Sequence, residues 1–128
     1  MDILIVDDDR LTLHALQFNL ESLGHQVYSA DTSEEAINLV ARGIKGLKFD
    51  LLISDIMMPG ISGLSLVTLL RSIHLCTIPI IVMSTLKNEY LYESVLKLGA
   101  TDFISKPIAT EELADKLKKF DKNTSVLT

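Results

Sequence analysis

Apolar residues along this chain fall in short unbroken runs, and each run stops at a polar side chain. Ile3-Leu4-Ile5-Val6 stops at Asp7-Asp8-Asp9, Leu51-Leu52-Ile53-Ser54 at Asp55, Ile80-Ile81-Val82-Met83 at Ser84, and Phe103-Ile104-Ser105 at Lys106-Pro107. Runs this short, without alternation, predict strands buried on both faces, as in a parallel sheet covered by helices. Between them the spacing turns helical. Leu13, Leu16, Leu20 and Leu23 share one helical face, and Gly24 is placed to end that helix. Gln26 to Ala30 reads as a second strand, and Thr32 with Glu35 predicts a capping box ahead of a helix carrying Ala36, Ile37 and Val40, stopped at Gly43. Pro59-Gly60-Ile61-Ser62-Gly63 is loop chemistry leading to Leu66, Val67 and Leu70. Pro79 opens the fourth strand, and Leu91, Val95 and Leu98 mark a helix ahead of Gly99. Thr110 announces the last helix. Its first turn holds Glu111 and Glu112, and Lys116, Lys118 and Lys119 lie toward its end, where their charges suit the helix dipole.

Five alternations of strand and helix predict an α/β fold, a doubly wound five-stranded parallel sheet with right-handed crossovers and helices on both faces. Ligands of such sheets bind beyond the carboxyl ends of the strands. Asp7, Asp8, Asp55, Ser84 and Lys106 would converge there. Three carboxylates, a hydroxyl and an ammonium can hold a divalent cation and a phosphoryl group together. Composition narrows the setting. The chain has 128 residues, 48% hydrophobic and 23% charged, which fits one soluble domain with a sizeable core. A formal net charge of -5 argues against direct binding of nucleic acid. No apolar stretch approaches the roughly 20 residues of a membrane span, and Met1-Asp2 lacks the basic flank of a secretory leader. A single Cys76 excludes an internal disulfide and fits a reducing compartment, so a cytoplasmic location is expected. With no repeat or linker before Asp121, the expected organisation is one domain over 1–120 and a polar, frayed tail over 121–128, either a natural end or the start of a linker.

Taken singly, the polar stops have plain explanations: Asp9 as a helix cap, Asp55 as a turn residue, Ser84 as a strand-end serine, Lys106-Pro107 as a loop and Phe103 as core. Jointly they say more. Val6-Asp7-Asp8, Asp55-Ile56-Met57-Met58-Pro59-Gly60, Ser84-Thr85 and Lys106-Pro107, in this order at successive strand ends, resemble the receiver domains of two-component response regulators, chemotaxis regulators among them. The resemblance runs from Ile3 to about Phe120. It implies the flavodoxin-like strand order 2-1-3-4-5, which the apolar pattern alone does not supply. It also implies that Asp55 is the nucleophile that takes a phosphoryl group from a phosphohistidine. Mg²⁺ (or Mn²⁺) would be held directly by Asp8 and Asp55, through water by Asp7, and by the Met57 main-chain carbonyl. Lys106 would be a second cation, Ser84 a hydroxyl that swings toward the phosphoryl oxygens, and Phe103 an aromatic that rotates inward with it. A cis peptide is implied at Lys106-Pro107, and Met57 and Leu86 occupy the positions that tune dephosphorylation. Two departures stand out: Ser62-Gly63 replaces the frequent Asp-Gly while keeping its turn glycine, and Ser84 replaces the commoner threonine.

The function so implied is a phosphoacceptor switch, not a turnover enzyme. Its partners would be a sensor histidine kinase or histidine phosphotransferase docking near the first helix, and an effector or output domain of unknown identity meeting the fourth and fifth helices. A homodimer through those helices is compatible with the pattern but not required by it. Other functions fit worse. A phosphatase working through an aspartyl phosphate needs an acid two residues after its nucleophile, where Met57 stands. A receiver-like module that had lost phosphorylation would show an altered Asp8, Asp55 or Lys106, and a nucleotide-binding fold lacks its glycine-rich loop after the first strand. His14, His25 and His74 show no metal-ligand spacing and receive no role.

Overall fold

The computed structural model describes residues 1–43, 48–74, 76–86 and 88–121. Strands and helices alternate as β1 (Asp2–Val6), α1 (Arg10–Ser22), β2 (Gln26–Ala30), α2 (Ser33–Arg42), β3 (Leu51–Asp55), α3 (Gly63–Ser72), β4 (Ile80–Ser84), α4 (Glu89–Lys97), β5 (Asp102–Ser105) and α5 (Thr110–Lys118). All strand pairs are parallel, in the order β2-β1-β3-β4-β5. The expected α/β fold and strand order are both present. Apart from Asp121, the tail expected over 121–128 lies outside the described residues.

Successive strand residues point to opposite faces, and here both faces are covered. Ile3, Ile5, Leu51, Ile53, Ile81, Met83 and Ile104 pack with Leu13, Leu16 and Leu20 of α1 and Leu113 and Leu117 of α5. Leu4, Val6, Leu52, Ile80, Val82 and Phe103 pack on the other face with residues of α2, α3 and α4. This explains the unbroken apolar runs: neither face meets water. Each such side chain contributes about 1.5–3 kcal/mol by burial. The chain leaves β1 for β2 on one side and returns to β3 on the other. The crevice of this doubly wound sheet therefore opens between the carboxyl ends of β1 and β3.

Helix ends largely follow the sequence signals. Asp9, Thr32, Ser62 and Asn88 cap α1 to α4, accepting from the amides of Leu11, Glu35, Ser65 and Tyr90. The last helix differs. Ala109 occupies its cap position with no side-chain bond, and Thr110 is its first helical residue. A tertiary contact anchors α5 instead, with Lys116 Nζ donating to Asp102 Oδ2 at 3.0 Å. At the opposite end of the sheet from the crevice, the Arg71 guanidinium donates to the carbonyls of Gly99, Cys76 and Ile78, tying α3 to the loops that lead into β4 and β5.

Gly63 fixes where α3 meets β3. Its backbone amide donates to the Ile56 carbonyl at 2.9 Å, and a Cβ there would collide with the Asp55 carbonyl oxygen and lie 2.8 Å from Ile56 Cα. The glycine is thus required by close approach to the end of β3, not by the turn conformation that the Ser62-Gly63 pair predicts. We expect Gly63→Ala to destabilise the domain by about 1–3 kcal/mol, the usual cost of overpacking a close contact. A urea denaturation midpoint equal to wild type would contradict this account of the contact.

Candidate functional site

Three consecutive aspartates after β1 have three different fates. The Asp7 side chain is buried, and its Oδ1 accepts from the Asp9 amide at 3.0 Å, turning the chain out of the strand. Asp9 caps α1, accepting from the Leu11 amide at 3.1 Å and the Thr12 hydroxyl at 2.8 Å. The Thr12 bond and then the Leu11 amide hold its carboxyl below the ordinary aspartate value. Asp9 is therefore spent on the helix, as its plain explanation has it. Asp8, between them, is exposed.

Asp55 is the last residue of β3 and is buried. Because Val6 pairs with Ser54, the residues that follow, Asp7 and Asp55, emerge side by side from adjacent strands. Ligand oxygens of Asp7, Asp8 and Asp55 all lie within 4.8 Å of one another. The Lys106 ammonium, arriving just after β5, lies 2.7 Å from Asp7 Oδ2 and 3.2 Å from Asp55 Oδ1.

The charges do not balance. Burial, and next the neighbouring Asp7 charge, push the Asp55 carboxyl above its ordinary value, while Lys106 pulls it down without prevailing. Burial also opposes charge on Lys106, but the Asp7 hydrogen bond and the charges of Asp55 and Asp7 hold its ammonium above the ordinary lysine value. Both shifts are upward because one cation is shared. Its shorter bond goes to Asp7, leaving Asp55 the less compensated carboxylate.

Such a donor set suits a hard divalent cation. Mg²⁺ takes oxygen ligands at about 2.0–2.1 Å and is commonly held by one or two carboxylates with waters completing the shell. Asp8, exposed beside the buried pair, gives that cation a solvent-facing ligand. The residues present therefore fit the cation.

Of the remaining expected residues, Ser84 ends β4 and is buried, its hydroxyl accepting from the Leu86 amide at 3.0 Å. Phe103 is buried on the face opposite α1 and meets Tyr92 of α4 edge-on, ring centroids 5.5 Å apart. Met57 and Leu86 are 65% and 51% exposed, so both side chains stand outside the core. The peptide bond Lys106-Pro107 is cis. Sequence reasoning missed the role of Lys116, read there only as helix-end charge. Asp102, one residue before Phe103, would have been the signal, because an aspartate opening a buried strand needs a cation.

Residues 3–118 match the family described as "Response regulator receiver domain". Solved structures similar to this one include the receiver domain of Francisella response regulator 1452, at 28% identity and TM-score 0.85, covering 96% of this chain and 98% of that one. A response regulator receiver protein of Pseudomonas putida is 30% identical with TM-score 0.82, covering 92% and 95%. The chemotaxis protein CheY4 of Vibrio cholerae is 26% identical with TM-score 0.83, covering 94% and 98%.

Proposed function

Because this chain belongs to the response regulator receiver domain family, whose members are phosphoacceptor switches, we propose that Asp55 is its acceptor. In the transfer, a carboxylate oxygen of Asp55 attacks phosphorus, the P–N bond to a phosphohistidine breaks, and the electron pair stays on the imidazole. An acyl phosphate results. The observation that carries this reading is the pairing of a buried strand-end carboxylate, under-compensated as it stands, with an ammonium at 3.2 Å. Phosphoryl transfer is mainly positioning and charge neutralisation, so a site already rich in negative charge must offer cations. Lys106 is one, placed to follow the charge from Asp55 to the phosphoryl oxygens. Asp8 and Asp55, with the Met57 carbonyl and Asp7 through water, would hold Mg²⁺ or Mn²⁺, which supplies the second positive charge when bound.

Receiver domains pair with histidine kinases. For this chain we propose loading by a sensor kinase or histidine phosphotransferase at the α1 side of the crevice, inside the cytoplasm. The output would be read from α4, β5 and α5. Ser84 and Phe103 join site to surface in this reading: a Ser84 hydroxyl that turns to donate to the phosphate leaves the Leu86 amide, and Phe103 bears on Tyr92 of α4. A phosphoryl group adds about −1.5 to −2 charge and shifts the output face only by contacting its two states differently.

Two outcomes follow. Asp55→Asn should fold and gain no phosphoryl mass from acetyl phosphate with Mg²⁺, whereas full incorporation in that variant would move the acceptor elsewhere. Self-dephosphorylation should be slow, as befits a phosphorelay or a sustained signal. Hydrolysis needs a water in line with phosphorus, and apolar Met57 and Leu86 offer it no orienting bond. Met57→Asn combined with Leu86→Glu should speed loss by about fivefold or more, the kinetic worth of roughly one hydrogen bond. A double variant no faster than wild type, or a wild-type phosphoryl group lost within seconds, would show that these side chains do not gate the water.

A further inference from the structure

The loop from Met57 to Ser62 begins two residues after Asp55 and carries the proposed Met57 ligand, so its placement matters to the site. Its base is firmly held. The Ile56 amide donates to the Met83 carbonyl at 3.0 Å, the Gly63 amide donates to the Ile56 carbonyl at 2.9 Å, and Met58 is buried in the core. Its far limb is tied by a side chain from another element: the Ser33 hydroxyl donates to the Ile61 carbonyl at 2.7 Å, across 28 residues.

Ser33 is not needed where it stands for α2. Thr32 already caps that helix by accepting from the Glu35 amide at 3.1 Å, and Ser33 is the first helical residue. Alanine is a better helix former than serine. Yet the Ser33 side chain is polar, the residue is only 1% exposed, and its hydroxyl is committed to the loop. A buried hydroxyl is costly unless bonded, and here its partner is the Ile61 carbonyl.

We propose that Ser33 is a positioning residue for the phosphoacceptor site, its bond to the Ile61 carbonyl holding the loop after Asp55 in the arrangement that binds the divalent cation. This rests on the acceptor and metal assignments made above. Ser33 acts through the backbone and touches neither the cation nor the phosphoryl group. Without its bond, the loop retains its base but samples other placements, and the cation must select the competent fraction. Apparent affinity falls by that fraction.

Calorimetric titration with Mg²⁺ alone tests the idea, with acetyl phosphate uptake as the second readout. Ser33→Ala should weaken Mg²⁺ binding by about fivefold, the worth of one neutral hydrogen bond, and raise in parallel the Mg²⁺ concentration that half-saturates uptake. Thr32→Ala removes the cap of the same helix without touching the tie, so it should lower the melting temperature yet leave the Mg²⁺ affinity at the wild-type value. Wild-type affinity in Ser33→Ala, or an equal loss in Thr32→Ala, would overturn the proposal. If wild type itself neither binds Mg²⁺ nor takes up phosphoryl groups, the acceptor and metal assignments fail instead.

Discussion

One lysine ammonium is shared by two buried carboxylates at the edge of the sheet, and the rest of the site is arranged around that insufficiency. Lys106 reaches Asp7 at 2.7 Å and Asp55 at 3.2 Å, and the exposed Asp8 adds a third negative charge nearby. Two like charges about 4 Å apart at an effective dielectric of about 20 repel by roughly 4 kcal/mol. That is a large share of the roughly 5–15 kcal/mol by which a domain is stable. Folding alone would not favour such a cluster. A cation that enters, or a phosphoryl group that moves Lys106 toward a new partner, draws on that repulsion.

The sheet makes the crowding unavoidable. Val6 is paired with Ser54, so the chain must deliver Asp7 and Asp55 together, at the place where connections diverge to opposite faces. Gly63 brings α3 against the Asp55 backbone, and Asp9 turns the chain into α1 so that Asp7 stays inside while Asp8 faces out. On the far side, Ser84 and Phe103 occupy neighbouring strands and contact, respectively, the Leu86 amide and Tyr92. Phe103 thus ties β5 to α4, the helix proposed above as part of the output face.

Much of this was legible in the order of residues. Strands covered on both faces leave unbroken apolar runs, and their polar stops are the site. What escaped was whatever depends on distant partners. The bond between Lys106 and Asp7 spans 99 residues, so the pattern places both groups at one edge without saying that one cation serves two carboxylates. Thr110 looks like a cap because a hydroxyl precedes two glutamates, but Lys116 and Asp102 anchor that helix through tertiary contact. Gly63 looks like a turn glycine, and only the path of β3 reveals the close approach. Ser33 beside Thr32 left one hydroxyl more than a single cap uses, a faint signal whose partner, Ile61, cannot be read locally.

The charge imbalance can be measured at its centre. A carbon-13 NMR titration of the Asp55 side-chain carboxyl should place its midpoint above the ordinary aspartate value of 3.8 in the metal-free protein. A native value raised in this way means that the group favours folding most below the unfolded pKa, and that this contribution is lost as pH rises through the native one. Added Mg²⁺, binding the ionised form, should bring the midpoint down. A metal-free midpoint at or below 3.8, or one that Mg²⁺ leaves unmoved, would contradict the account.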